Sequence, residues 1–497
     1  MKLRTDGKDR LHWDVALFFA LYIILPSYFG VELHAKLPLI TGSRMLLIAM
    51  GMMLLVRRRA ELLDFKQFHL KNWNLTLTQD KCLGWTMFAY FAIIAVVDIY
   101  FLRETSESIK DLFIVVAEQF GVVWLLTLIL DTRKKLVSAL RCLLYASGVV
   151  AVIAGISCIL DKNLFYVLNT VHREMMMTTY YRLGLLRADA TFGHPVYYGA
   201  FCAVMIPLGM YFTERDDTRL QRVLAAGSIA LNLVGLVLSN SRGSMLAVCC
   251  LAVIVFFIRL VSKQLKQLFK TYLPVLALTL ALLVLVTSMA PVGISFLGYV
   301  SESMFESVDE ILPDLPSWPQ VTEPLATETP SVTEPPATEP PATEPPATEP
   351  PVEFGENPQG MRSRLLQMTG IIWTIERSPI FGFGPNAHKR GLVQFQFYEN
   401  QWWTSYTLDI APVAMICQYG LLGFAGFALM YLGQLKTVLS KKYRKDPLMI
   451  TFGLMLVTYF LCLLSISDLD KFEWVLLGSI VCLVNIIRKE NAVGADQ

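Results

Sequence analysis

Apolar residues in this chain are not spread at strand or amphipathic-helix spacing. They run together in blocks about as long as a bilayer is thick. A hydrocarbon core of about 30 Å takes roughly 20 residues of helix. Twelve such blocks, at 13–34, 38–56, 85–102, 111–130, 136–160, 196–212, 223–241, 245–261, 272–291, 409–435, 448–467 and 472–487, predict an all-α polytopic membrane protein of about 12 transmembrane helices. Most polar breaks are short. Two are long, 161–195 and 292–408, and the second predicts a large loop between helices 9 and 10. The expected organisation is therefore helices 1–9 in residues 1–291, the loop in 292–408, and helices 10–12 with a tail in 409–497.

Charge orients this pattern. Counting alternate breaks from a cytoplasmic N-terminus, Arg57, Arg58 and Arg59, then Arg133, Lys134 and Lys135, then Lys441, Lys442, Arg444 and Lys445 all fall on the cytoplasmic side, as the positive-inside rule requires. Both termini are then cytoplasmic and both long breaks extracytoplasmic. Met1 to Trp13 is basic, but the apolar block after it is long and has no small-residue cleavage site, so it reads as a retained first span. Composition agrees: 54% of residues are hydrophobic and 17% charged, where soluble domains carry about 25% charged residues. The net charge of +2 points to no nucleic-acid partner. The nine cysteines lie in or beside apolar blocks and the 292–408 loop has none, which argues against a disulfide framework.

The loop divides by composition. Thr322 to Glu353 repeats Thr-Glu-Pro-Pro-Ala, a polar tract that favours extended polyproline II and has no face from which to build a core, so it reads as a disordered spacer. Residues 361–406 look folded: an amphipathic helix from Met361 to Arg377, a turn at Ser378 to Asn386, and an aromatic segment from Phe395 to Tyr406.

No soluble catalytic motif, phosphate-binding glycine loop or metal-ligand cluster stands out. Gly382-Phe383-Gly384 reads as a turn, and the six histidines include no i,i+4 pair, so neither metal nor cofactor is expected. Arginine at the extracytoplasmic ends is the stronger signal. Arg242, in Ser239-Asn240-Ser241-Arg242-Gly243-Ser244, breaks two adjoining apolar blocks, where charge needs a partner or a function; a snorkelling helix-end arginine is the alternative. Arg364 lies on the predicted loop helix and Arg187 just before the sixth block, there either pairing with Asp189 or meeting a ligand. Planar guanidinium forks converging on one cavity suit a diphosphate. Asp409, at the mouth of the tenth block, is either a helix N-cap or a base that takes a proton from an acceptor hydroxyl. Trp402, Trp403 and Tyr406 before it form either an interfacial belt or a platform for sugar rings.

Four segments in this order and on this side resemble the O-antigen ligase and O-antigen polymerase superfamily: Arg187 to Gly199 (RADATFGHPVYYG), Ser239 to Leu246 (SNSRGSML), Ser363 to Asn386 (SRLLQMTGIIWTIERSPIFGFGPN) and Asp409 to Gly423 (DIAPVAMICQYGLLG). The resemblance implies a membrane glycosyltransferase that takes glycan from undecaprenyl diphosphate at the outer face of the cytoplasmic membrane, without metal or nucleotide sugar. It implies an acceptor glycan or lipid as second substrate. By it, Arg242 and Arg364 match the arginines that grip the diphosphate, and Arg187 and His194 of the first segment become substrate-binding candidates. Asp409 stands where the family carries a histidine. The Asp substitution and the proline-rich spacer are more like members from bacteria without lipopolysaccharide, for which polymerisation fits better than ligation to lipid A. Two other classes compete: a twelve-span transporter or flippase of lipid-linked sugars, for which the sequence shows neither an internal repeat nor a midplane carboxylate cluster, and a sensor or scaffold using the loop as an arm.

Overall fold

The computed structural model describes residues 10–26, 28–32, 39–57, 77–105, 107–171, 180–182, 185–216, 218–290, 366–398, 401–404, 407–466 and 471–495. Helices dominate: α1 Arg10–Ile24, α2 Gly42–Arg57, α3 Lys81–Phe101, α4 Glu107–Ile129 with a π-helical stretch at Ile114–Phe120, α5 Arg133–Ile159, α6 Pro195–Arg215, α7 Arg219–Ser239, α8 Arg242–Val261, α9 Leu265–Met289, α10 Thr369–Arg377, α11 Ala411–Leu439, α12 Pro447–Cys462 and α13 Lys471–Ala495. Three two-stranded antiparallel pairs complete it: β1 Gly30–Val31 with β2 Ile40–Thr41, β3 Tyr181–Arg182 with β4 Leu185–Leu186, and β5 Gln394–Tyr398 with β6 Gln401–Thr404.

Each predicted block contains a helix, and nine helices among the described residues are long and apolar enough to cross a membrane. This is a multi-pass membrane protein. The first two blocks are shorter than expected, with apolar helix only at Val15–Ile24 and Gly42–Val56. Pro26 cannot donate to the helix before it, and the chain beyond forms the β1–β2 pair in place of further helix. The first turn of α13 carries Lys471 and Glu473, and Glu473 is fully buried, accepting from the hydroxyls of Tyr431 and, at 3.4 Å, Tyr459. The predicted spacer and Met361 to Leu365 lie outside the described residues.

Polar side chains start the helices where the sequence breaks. Asp80 accepts from the Leu83 N–H at α3, Thr218 from Gln221 at α7 and Asp446 from Leu448 at α12, each satisfying one of the donors a helix start leaves unmet. The breaks sort into two ends of the bundle. At the basic end, Arg133 bridges to Asp446 at 2.6 Å and to Glu490 at 2.9 Å, Arg141 pairs with Asp216 at 2.6 Å, and Tyr443 donates to Asp80 at 2.8 Å. At the opposite end, Tyr28 donates to the Ala190 carbonyl at 3.2 Å and Asn386 to Glu107 at 3.2 Å. Helix α6 is the centre, packed by α5, α7, α8 and α12, while α8 and α9 keep most of their surface outward, apolar and suited to lipid.

Helix α11 is not continuous. Gly420 has φ 66° and ψ −167°, a backbone region reserved for glycine. The ladder bonds that should cross the break are replaced by bonds to the segment after α10. Leu421 and Leu422 N–H donate to the Pro379 and Ile380 carbonyls at 2.8 and 3.2 Å, and Phe383 and Gly384 N–H donate to the Cys417 and Gln418 carbonyls at 3.0 and 2.8 Å. A Cβ on Gly420 would lie 2.2 Å from the Ile380 oxygen, and one on Gly382 2.6 Å from the Gly420 nitrogen. The expected turn at Ser378 to Asn386 is thus a splice that closes a broken span.

Candidate functional site

The first cluster forms where α7 turns into α8. Asn240 takes the left-handed conformation, φ 47° and ψ 42°, that ends α7, a role asparagine fills better than most residues. Its side chain is 1% exposed, and neither its amide oxygen nor its nitrogen has a hydrogen-bond partner among the described residues. Arg242, half-buried, is the first residue of α8. Ser241 precedes it without a side-chain cap bond; its hydroxyl lies 3.0 Å from that of Ser244. The first N–H groups of a 20-residue helix, with the positive end of its dipole, therefore open beside Arg242 and the buried Asn240 amide. Two glycines let neighbours close on this turn: a Cβ on Gly199 would fall 2.6 Å from the Ser239 hydroxyl, and one on Gly243 2.2 Å from that of Ser465.

Arg187 joins this cluster. Its Nε donates to the Ser239 carbonyl at 3.0 Å and its Nη2 to the Asn240 carbonyl at 3.3 Å, while the Ala188 N–H donates to Leu238 at 3.0 Å. Of the two readings weighed for Arg187, these bonds direct it to the α7–α8 turn. Asp189 is instead buried, accepting from Asn163 Nδ2 at 2.6 Å and the Tyr166 hydroxyl at 3.3 Å. Burial pushes its carboxyl up to about 6, against those bonds, which lower it. His194 caps α6, its Nδ1 accepting from the Val196 N–H at 3.2 Å, with the Tyr180 ring edge-on at 4.8 Å; its place in the structure is that of a helix cap.

The second cluster centres on Asp409. Gln367, 3% exposed, clamps it from both sides: the Asp409 N–H donates to Gln367 Oε1 at 2.7 Å, and Gln367 Nε2 donates to Asp409 Oδ2 at 3.3 Å. The other carboxylate oxygen has no partner among the described residues. Asp409 is not the N-cap of α11; that position belongs to Ile410, which makes no side-chain cap bond. Arg364 and Tyr406 lie outside the described residues. Gln367 follows Arg364 by three residues and carries that stretch of chain to Asp409. The aromatic segment is the β5–β6 hairpin. Trp402 lies 5.1 Å from Trp373, whose indole N–H donates to Leu392 at 3.1 Å and whose face carries the Arg377 guanidinium at 3.2 Å. For Trp403 only the backbone is described, paired with Phe395.

Arg187 and Arg242 are brought to one turn; Asp409 sits with Gln367. The short turn Leu463–Ser465 after α12 packs against both α8 and α11. Sequence reasoning missed Gln367, whose partner is 42 residues away, and Asn240, named only as a neighbour of Arg242. It also did not single out an acidic pair near the ends of α3 and α4 that lie away from the basic end of the bundle: Asp98, fully buried, faces Asp111, which accepts from the Tyr419 hydroxyl at 2.5 Å beside the Gly420 break. The signal was two isolated acids, one four residues from a predicted helix end and one at a helix start, each unremarkable alone. Among the described residues no group of three or more His, Cys, Asp or Glu is placed to hold a metal ion.

Residues 227–428 match the family model described as O-antigen ligase. The match runs from α7 into α11 and takes in Arg242, Arg364, Trp402, Trp403, Tyr406 and Asp409, leaving Arg187 and His194 outside. No curated protein sequence matches the chain. Over that region the match agrees with the resemblance to the O-antigen ligase and polymerase superfamily, in a chain whose helices make it a multi-pass membrane protein.

Proposed function

Taking an O-antigen ligase-type region at residues 227–428 as the premise, we propose that this protein transfers or polymerises glycan from an undecaprenyl-diphosphate-linked oligosaccharide at the outer face of the cytoplasmic membrane. The segregation of Lys and Arg to one end of the bundle supports that face, since the two clusters lie at the other end. In the proposed reaction an acceptor hydroxyl attacks the anomeric carbon, its proton passing to the Asp409 carboxylate. The bond from that carbon to the diphosphate oxygen breaks, and undecaprenyl diphosphate departs with the bonding electrons. One displacement inverts the anomeric centre. Arg242 and Arg364 neutralise the departing diphosphate, with Arg187, His194 and the aromatic hairpin lining the substrate path.

The observation that carries the reading is the α7–α8 turn. An uncapped helix N-terminus, a buried amide with unmet hydrogen-bonding groups and two arginines converge there, which is what an anionic group between helix ends requires. Gln367 takes one Asp409 oxygen, and among the described residues the other is left for the proton. The test is substitution of Arg242, Arg364 and Asp409 by Ala, one at a time, with polysaccharide length followed in cells. Unchanged long-chain product from all three ends the proposal.

A transporter or flippase of lipid-linked sugars is the second reading, and one observation favours it: a discontinuous span, α11, beside the buried Asp98 and the partly buried Asp111, the kind of arrangement transporters use. Purified protein in liposomes separates the two. Glycan extension without transbilayer movement of the lipid supports the enzyme.

A further inference from the structure

Helix α10 has three faces. Gln367, Gly370, Ile371 and Thr374 pack inward against α11 and β5, with Gly370 so close to the Phe395 ring that a Cβ would fall 2.5 Å from it. Thr369, Trp373, Glu376 and Arg377 make a polar and aromatic face. Between them runs an apolar stripe at i, i+4 and i+7: Met368 is 50% exposed, Ile372 53% and Ile375 43%, and Ile380 beyond the helix is 58% exposed. A helix that has already buried one face has no folding reason to keep a second apolar stripe uncovered.

The position of the stripe along the bundle says what covers it. The inner piece of α11, Gly420 to Leu439, is about 30 Å long at 1.5 Å per residue, one bilayer core by itself. Gly420 therefore stands at the membrane boundary. Pro379 and Ile380 are hydrogen-bonded to Leu421 and Leu422, just inside it. Phe381 stacks on Tyr100 at 4.7 Å, and Ile99, Tyr100 and Leu421, on membrane-crossing helices, are themselves exposed. The stripe thus continues a lipid-facing surface. Arg377 and Trp373, side by side at the polar face, have the amphipathic character of a membrane boundary.

We infer that α10 is an interfacial helix whose Met368, Ile372, Ile375 and Ile380 side chains insert into the acyl region of the adjoining lipid leaflet. The inference does not depend on the transfer chemistry, and it gives the loop a second attachment besides the α11 splice. It holds the Gln367–Asp409 pair at the membrane boundary.

The test uses the full-length protein in lipid nanodiscs with Ile372→Cys, Met368→Cys or Glu376→Cys, the native chain labelled in parallel for background. A thiol in apolar surroundings ionises less, and each pK unit slows reaction with a polar maleimide by about tenfold. The thiols of the Ile372→Cys and Met368→Cys variants are expected to react at least about tenfold more slowly than that of Glu376→Cys. A fluorophore attached to the Ile372→Cys variant is expected to be quenched by lipids brominated on their acyl chains, and one attached to the Glu376→Cys variant to remain bright. Equal reaction rates with no quenching overturn the proposal. Protection in cells that is lost in nanodiscs also overturns it, in favour of a protein partner on this face.

Discussion

Replacing Gln367 by Ala separates positioning from chemistry at Asp409. The substitution deletes two hydrogen bonds, one from a backbone N–H at 2.7 Å and one to the carboxylate at 3.3 Å. The first contributes about 1 kcal/mol; the second, charge-assisted but long, contributes about as much. If the reaction needs Asp409 held in this geometry, about 2 kcal/mol appears in the barrier, a loss of roughly thirtyfold in kcat. The acceptor and donor KM should change by no more than about threefold, because uniform binding is untouched. The assay is extension of a lipid-linked oligosaccharide by purified protein in liposomes. A cycle with Asp409→Ala supplies the readout that a merely structural role would not move: a residue acting through Asp409 adds nothing once Asp409 is gone, so the double variant should be no slower than Asp409→Ala alone. A Gln367→Ala protein that keeps more than half its kcat, or whose loss adds fully to that of Asp409→Ala, refutes the reasoning.

Three further outcomes follow from the same geometry. Asn240→Asp keeps the left-handed turn but sets a carboxylate where an anion is proposed to bind, and should raise the KM for the lipid-linked donor by at least about tenfold, 1.4 kcal/mol, in the same liposome assay. Asp189 rises from an ordinary carboxylate value near 3.9 to about 6 on burial, so it contributes stability that is full below about pH 4 and lost as pH rises through 6; Asp189→Asn should flatten the pH dependence of thermal unfolding across that window and gain up to about 3 kcal/mol at pH 7. Gly420→Ala forces a side chain into a glycine-only conformation, about 1–3 kcal/mol before any clash, and should lower the melting temperature and expose residues 378–390 to protease, whereas Gly227→Ala, whose Cβ would meet nothing within 4 Å, should do neither.

The spans were legible because each must be apolar over its whole length, a property that local composition carries without help from tertiary contacts. Their ends were less so. Pro26 and the β1–β2 pair shortened the first two apolar blocks, and Gly420 broke α11 inside a run whose composition is that of an unbroken helix. At the site, Arg242 stood out because it interrupts apolar sequence, and Asp409 because it precedes a span. Arg187 was left between two partners, since its choice depends on Asn163 and Tyr166 occupying Asp189, a matter of packing between residues that sequence spacing does not reveal. Gln367 was invisible for a related reason: a glutamine on a polar loop helix has no composition signal, and its role appears only when the chain returns to place Asp409 against it.

The splice at Gly420 also bears on how the protein is made. Gly420 to Leu439 can enter the bilayer as a complete apolar segment, with Ala411 to Tyr419 left outside it. The strand of chain that mends the break, Pro379 to Gly384, is synthesised earlier and has to wait. Insertion and completion of this helix are then separate events in biogenesis. A chain with a damaged splice segment would acquire normal topology and pass as correctly inserted, yet keep this span open at the boundary, a defect that quality control of topology alone would not detect.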